Sequence, residues 1–87
     1  MFAVSIRCKN GNSFKYNEGK PETTIGTIRQ FCADYLQIDR ESIVLTFMMR
    51  PRKDEETLGE MAYNPTKILF LRTNDIKKLG DEAVPHH

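Results

Sequence analysis

Residues 67–72 read Lys67-Ile68-Leu69-Phe70-Leu71-Arg72, and the reading of this run decides the fold. Four successive apolar residues present no polar side to water, which is the pattern of a strand flanked by neighbours. Its neighbours must come from earlier in the chain. At the opposite end, Phe2, Val4, Ile6 and Cys8 alternate with Ala3, Ser5, Arg7 and Lys9, the period of two of a strand with one buried face. Asn10-Gly11 tolerates the positive φ of a tight turn, after which Phe14 and Tyr16 point inward and Ser13, Lys15 and Asn17 outward. The two runs make an antiparallel hairpin.

Between this hairpin and the final run, Glu18-Gly19-Lys20-Pro21 breaks the alternation, and Thr23 or Thr24 caps a helix by accepting from an orphan backbone N–H. Ile25, Ile28, Cys32 and Leu36 recur at helical spacing on one face, with Arg29, Ala33 and Asp34 facing elsewhere. Phe31 and Tyr35 widen the apolar flank as edge packing. Ile38 resumes the apolar pattern, and Asp39-Arg40-Glu41-Ser42 reads as a turn. Ile43-Val44-Leu45-Thr46-Phe47 is β-branched and aromatic, hence a strand. Arg50-Pro51-Arg52-Lys53-Asp54-Glu55-Glu56 is a polar loop, because Pro51 cannot join a central strand. Thr57-Leu58-Gly59-Glu60-Met61 suits a short helical turn closed by Asn64-Pro65. The order is β-β-α-β-turn-β, in which the last strand inserts beside the first in parallel while the helix crosses one face of the sheet.

Eighty-seven residues hold one core, and 39% apolar with 29% charged residues is the balance of a globular domain. We expect a domain over residues 1–73 and a charged, aperiodic, flexible tail over 74–87. No apolar run reaches the ~20 residues of a membrane helix, and no secretory leader pattern opens the chain. An intracellular monomer, cytoplasmic or nuclear, is the expectation. Cys8 and Cys32 then serve as small buried hydrophobes in a reducing compartment.

The order and spacing of Val4-x-Ile6, Gly11, Phe14-x-Tyr16, Thr24-Ile25, Ile28, Cys32, Ile38, Leu45-x-Phe47, Thr57-Leu58 and Ile68-x-Phe70 resemble ubiquitin over about residues 1–73. The resemblance implies an α+β β-grasp fold, a mixed sheet packed on one helix. It implies protein binding more weakly, since one fold hosts many functions. Conjugated relatives end in Gly-Gly, which this chain lacks. Its tail carries the single Gly80, and a covalent modifier processed there is the alternative reading. A further resemblance is to UBX-type ubiquitin-like domains, which dock on the amino-terminal domain of an AAA ATPase. Ile6-Arg7, Arg50-Pro51-Arg52 and Thr57-Leu58 stand where those domains carry Ile-Arg, Phe-Pro-Arg and Thr-Leu. Arg7, Pro51 and Arg52 are the contacts this implies. Arg50 replaces the aromatic residue, and a guanidinium does not supply its buried area of ~150 Å² at equal cost.

Alternation also nominates a binding face. With Ile6, Leu45, Ile68 and Phe70 directed at the helix, Arg7, Lys9, Thr46, Met48, Leu69 and Leu71 face solvent. An apolar patch of Leu69, Leu71 and Met48 with a rim of Arg7, Lys9 and Arg72 is the expected site for a protein partner, either a ubiquitin-pathway component or an AAA ATPase.

Catalysis is not expected. The only histidines are the terminal His86-His87, and no Cys-His or carboxylate pair has telling spacing. No four-ligand metal set exists, glycines occur singly so no loop cradles phosphate, and neither metal nor cofactor is implied. Arg50, Arg52 and Lys53 are followed at once by three acids, which argues against nucleic acid as the partner.

Overall fold

The computed structural model describes residues 1–73. The tail expected over 74–87, with Gly80, lies outside the described residues. The elements are β1 (Phe2–Cys8), β2 (Ser13–Gly19), α1 (Ile25–Leu36), a 3-10 turn (Arg40–Ser42), β3 (Ile43–Phe47), β4 (Arg50–Pro51) and β5 (Ile68–Thr73). They form one five-stranded sheet in the order β2-β1-β5-β3-β4. β5 runs parallel to β1 and antiparallel to β3, so the segment quoted first is the central strand.

The opening hairpin closes as its sequence predicts, with Gly11 at φ 96° and its N–H donating to the Cys8 carbonyl at 3.0 Å. β2 runs further than expected, through Glu18 and Gly19. The register shifts between Phe2 and Val4, and Gly19 pairs with Phe2. A Cβ on Gly19 would lie 2.8 Å from both the Phe2 carbonyl oxygen and Val4 Cγ2. This glycine permits a close strand approach, and the turn begins only after it.

Of the two candidate caps, Thr24 takes the role: its Oγ1 accepts from the Thr27 N–H at 3.2 Å. Thr23 Oγ1 instead accepts from the Lys20 N–H at 2.9 Å and closes the preceding turn. The first two helical amides are held by the distant loop, Ile25 N–H on the Glu56 carbonyl (2.8 Å) and Gly26 N–H on the Asp54 carbonyl (3.0 Å). Ile25, Ile28, Cys32 and Leu36 are buried as expected, and Ala33 is buried as well. Arg29 also departs from the expectation. At 3.6 residues per turn its position falls inside the apolar stripe, so its stem lies over the core while its guanidinium finds polar partners. Nε donates to the Ile43 carbonyl at 2.9 Å, and Nη1 to both Asp54 carboxylate oxygens at 3.0 and 3.1 Å.

The loop after β3 contains the two-residue β4, in which Pro51 pairs with Thr46 and Arg50 with Phe47. Pro51 is tolerated because β4 is an edge strand. Thr57 and Glu60 exchange the two bonds of a capping box, Glu60 Oε1 accepting from the Thr57 N–H and Thr57 Oγ1 from the Glu60 N–H. One turn follows, and Ala62 at φ 56° ends it. Tyr63 then anchors the entry to β5. Its buried hydroxyl donates to the Lys67 carbonyl (2.9 Å) and accepts from the Ser5 N–H (3.0 Å), and burial pushes the phenol pKa up.

The phase of β5 is opposite to the one expected from sequence. Leu69 and Leu71 are fully buried and Phe70 is 47% exposed. The reason is the register: Ile6 pairs with Leu69, Cys8 with Leu71, and Leu45 with Leu71. Paired residues on neighbouring strands share a face, so both leucines lie with Ile6 and Leu45 beneath the helix, and Phe70 lies with Arg7 and Thr46 on the open side. Cys8 and Cys32 are both buried as thiols, and burial, aided by nearby Cys8, pushes the Cys32 thiol up to about 12.

Asp54 ties helix, 3-10 turn and loop together, with Arg40 Nη2 donating to it at 2.8 Å alongside Arg29. Burial favours the protonated form of this carboxyl, but hydrogen bonds and charge from Arg29 and Arg40 outweigh it and hold the pKa below the ordinary value. The folded-state pKa is depressed, so the contribution to stability is complete above the ordinary aspartate value of about 3.9 and is lost as pH falls through the folded-state value. Asp54→Asn is therefore expected to lower stability at pH 7 and to flatten the acid side of the stability profile below about pH 4, as read by urea unfolding at stepped pH.

Candidate protein-interaction face

One face of the sheet carries α1, and the register fixes what the other displays. Arg7, Phe70, Thr46 and Pro51 form a row across β1, β5, β3 and β4. Ile68 beside Ser5, and Arg72 beside Val44, form the flanking rows. A shallow groove of about 700 Å³ runs over the β3, β4 and β5 part of this face, lined by Thr46, Met48, Met49, Pro51, Ile68 and Phe70 among others. Arg7, Arg50 and Arg72 are exposed around it, with Lys67 half-buried at one end. No carboxylate occupies an outward position of β1, β3 or β5. The face is apolar at its centre and basic at its rim.

The wall at one end is built under strain. Phe47 and Arg50 pair, so Met48 and Met49 are the two residues of a tight hairpin turn, and both have positive φ, 55° and 66°. Turns of this kind favour Asn-Gly, because an L side chain in the left-handed region costs roughly 1–2 kcal/mol per residue. Two unbranched thioethers are held there instead and project outward, Met49 being 94% exposed. The floor carries a second irregularity: Thr46 Oγ1 is buried with no hydrogen-bond partner among the described residues.

The residues nominated from sequence divide into three groups. Arg7, Thr46, Met48 and Pro51 come together on this face, and Lys9 is exposed just beyond the end of β1. Leu69 and Leu71 are on the other side of the sheet. Arg52 is turned inward: its Nε and Nη2 donate to the Phe47 carbonyl at 3.2 and 2.9 Å, Nη1 to Glu56 at 3.2 Å, and its guanidinium lies 5.6 Å from the Phe47 ring centre. It holds the β3–β4 hairpin and is not free to meet a partner. Sequence reasoning missed Phe70, Ile68, Val44 and Met49 as outward residues. The cations bracketing β5 gave opposing signals, since Lys67 has the parity of the leucines and Arg72 that of Phe70.

Away from this face, Phe14, Tyr16, Phe31 and Tyr35 pack together across β2 and α1, with the Phe14 and Tyr35 rings stacked at 4.2 Å. Tyr35 is exposed on its outer side, and the group seals the helix edge as expected. Among the described residues no cluster of side chains suits a metal ion, and no helix is long and apolar enough to cross a membrane.

No protein-family model and no curated protein matches the sequence. Solved structures do match. A ubiquitin from Caldiarchaeum subterraneum superposes with a TM-score of 0.77 at 21% identity, over 84% of this chain and 92% of that one. A computationally designed protein based on the template of human erythrocytic ubiquitin superposes with a TM-score of 0.73 at 23% identity, over 85% of this chain and 92% of that one. The chain has the ubiquitin-like β-grasp fold. At these identities the likeness concerns the fold, and the face of this ubiquitin-like domain has to be argued from its own residues.

Two substitutions test the strain in that face. Met49→Gly relieves one left-handed side chain and is expected to stabilise the domain by about 1 kcal/mol. Thr46→Val removes the orphaned hydroxyl at nearly constant volume and is expected to add a similar ~1 kcal/mol. Both are read from urea midpoints at unchanged slope.

Proposed function

We propose that this ubiquitin-like domain is a non-catalytic protein-interaction module, and that it receives an apolar segment with acidic flanks from a partner protein on the β3–β5 face. The observation that carries the reading is the exposure of Phe70, Met48 and Met49, with half-buried Ile68 beside them, as one apolar surface within a rim of cations. Burying such a surface returns about 25 cal/mol per Å², and the rim sets orientation and association rate. The left-handed Met48–Met49 turn supports the same reading, because strain retained at an exposed loop points to a use outside the folded core.

Two partner classes follow from the resemblances: ubiquitin-pathway proteins and the amino-terminal domain of an AAA ATPase. The second draws on the likeness to UBX-type domains, for which Arg7 and Pro51 are the available contacts. Arg52 supports their loop from within.

Titrating each class into isotope-labelled protein, with amide shifts recorded by NMR, tests the proposal. Shifts are expected over 44–51 and 67–72. Phe70→Ser should weaken binding at least ~10-fold, as for a central hot-spot residue, while Tyr35→Ala on the opposite edge leaves it unchanged. Affinity should fall with added salt. Shifts centred on β2 and α1, or indifference to Phe70→Ser, would reject the face. The modifier alternative is separated by incubation with ubiquitin-type activating enzymes and ATP: a thioester through a processed Gly80 would favour a conjugated protein over an adaptor.

A further inference from the structure

The two thioethers at the mouth of the groove are its most chemically reactive exposed groups. Met48 is 61% exposed and Met49 94%, whereas Met61 is only 9% exposed and packs in the core. The Met48 Sδ also lies 4.0 Å from the Lys67 Nζ. A thioether is a poor acceptor for that ammonium. A sulfoxide oxygen on the same sulfur is a strong one, and from this position it reaches hydrogen-bonding range of Nζ without backbone movement. Lys67 and Met48 both line the groove, so a bond between them would draw a polar bridge across apolar surface.

We propose that Met48 and Met49 are a methionine-sulfoxide modification site that closes the groove, with a hydroperoxide as the oxidant and Lys67 as the group that holds the oxidised Met48 side chain. In the step, sulfur attacks the terminal peroxide oxygen, the S–O bond forms and the O–O bond breaks. The thioether is oxidised by two electrons and hydrogen peroxide is reduced to water, the proton of the transferred hydroxyl ending on the departing oxygen. The product is polar and chiral where the wall was apolar, and sulfoxide reduction restores it. The site deepens the interaction reading given above and rests on the same groove. Its chemistry needs no protein partner, however, so the two can fail separately.

The test uses the 87-residue chain and graded hydrogen peroxide. Peptide mass spectrometry is expected to show Met48 and Met49 converting at least ~5-fold faster than Met61, with Met1, 84% exposed, as the freely accessible reference. Equal rates for Met61 would overturn the site. Closure is read with an anionic naphthalene dye that fluoresces in apolar surroundings. The reduced chain should bind the dye, the oxidised chain should bind it several-fold less, and Met48→Gln should reproduce the loss without peroxide. The double variant Met48→Leu/Met49→Leu should bind dye and keep it after peroxide. No dye binding before oxidation, no loss after it, or the same loss in the leucine variant would each overturn the proposal. For Lys67, the amide signals of Lys67 and Ile68 should shift on oxidation while that of Cys32 does not, and Lys67→Ala should leave a larger fraction of dye binding after peroxide. A fraction equal to that of the parent would remove Lys67 from the account.

Discussion

The structure depends on one insertion: β5 lies between β1 and β3, and its Leu69 and Leu71 close the core against α1. Among the described residues β1 and β3 both pair with β5 and not with each other, so the sheet is continuous only while β5 is seated. Truncating a buried leucine typically costs ~2–5 kcal/mol, a large share of the stability of a small domain. The register also carries a consequence for the other face. Because side chains alternate, the burial of the leucines obliges Ile68, Phe70 and Arg72 to face outward. The apolar surface is the reverse side of the core strand.

Two hydrogen-bonded devices hold that register, and both come from loops. The Tyr63 hydroxyl bridges Ser5 in β1 and Lys67 at the threshold of β5. Asp54 and Glu56 bind the helix start through their carbonyls, while the Asp54 carboxylate gathers Arg29 and Arg40. The polar loop between β4 and β5 thus clamps the helix to the sheet. With that clamp in place, the β3–β4 hairpin tolerates two left-handed methionines, and Arg52 braces it from behind through the Phe47 carbonyl.

Much of the fold was legible in the chain. The alternation of Phe2 to Cys8, the Asn10-Gly11 turn, the threonine cap and the Ile25–Leu36 stripe are local signals, and each specifies its element without help. The parallel seating of the last strand followed from element order. What was not legible is the phase of Ile68-Leu69-Phe70-Leu71. When both parities are apolar, alternation gives no preference, and Lys67 and Arg72 break the tie in opposite directions. Only pairing with Ile6 and Leu45 resolves it, and that information is not local. The same error carried into the candidate site, where Leu69 and Leu71 stood in for Ile68 and Phe70. Arg52 was misjudged for a related reason: a cation in a polar loop reads as solvated until the carbonyl it must satisfy is located. Gly19 read as a chain break because its requirement lies in Phe2 and Val4, seventeen and fifteen residues away.

The central claim is the inside-out assignment of β5, and side-chain accessibility tests it most directly. With a soluble gadolinium chelate added to methyl- and aromatic-labelled protein, the account predicts strong attenuation of the Phe70 ring signals and little attenuation of the Leu69 and Leu71 methyls. Attenuated leucine methyls beside a protected Phe70 ring would contradict it.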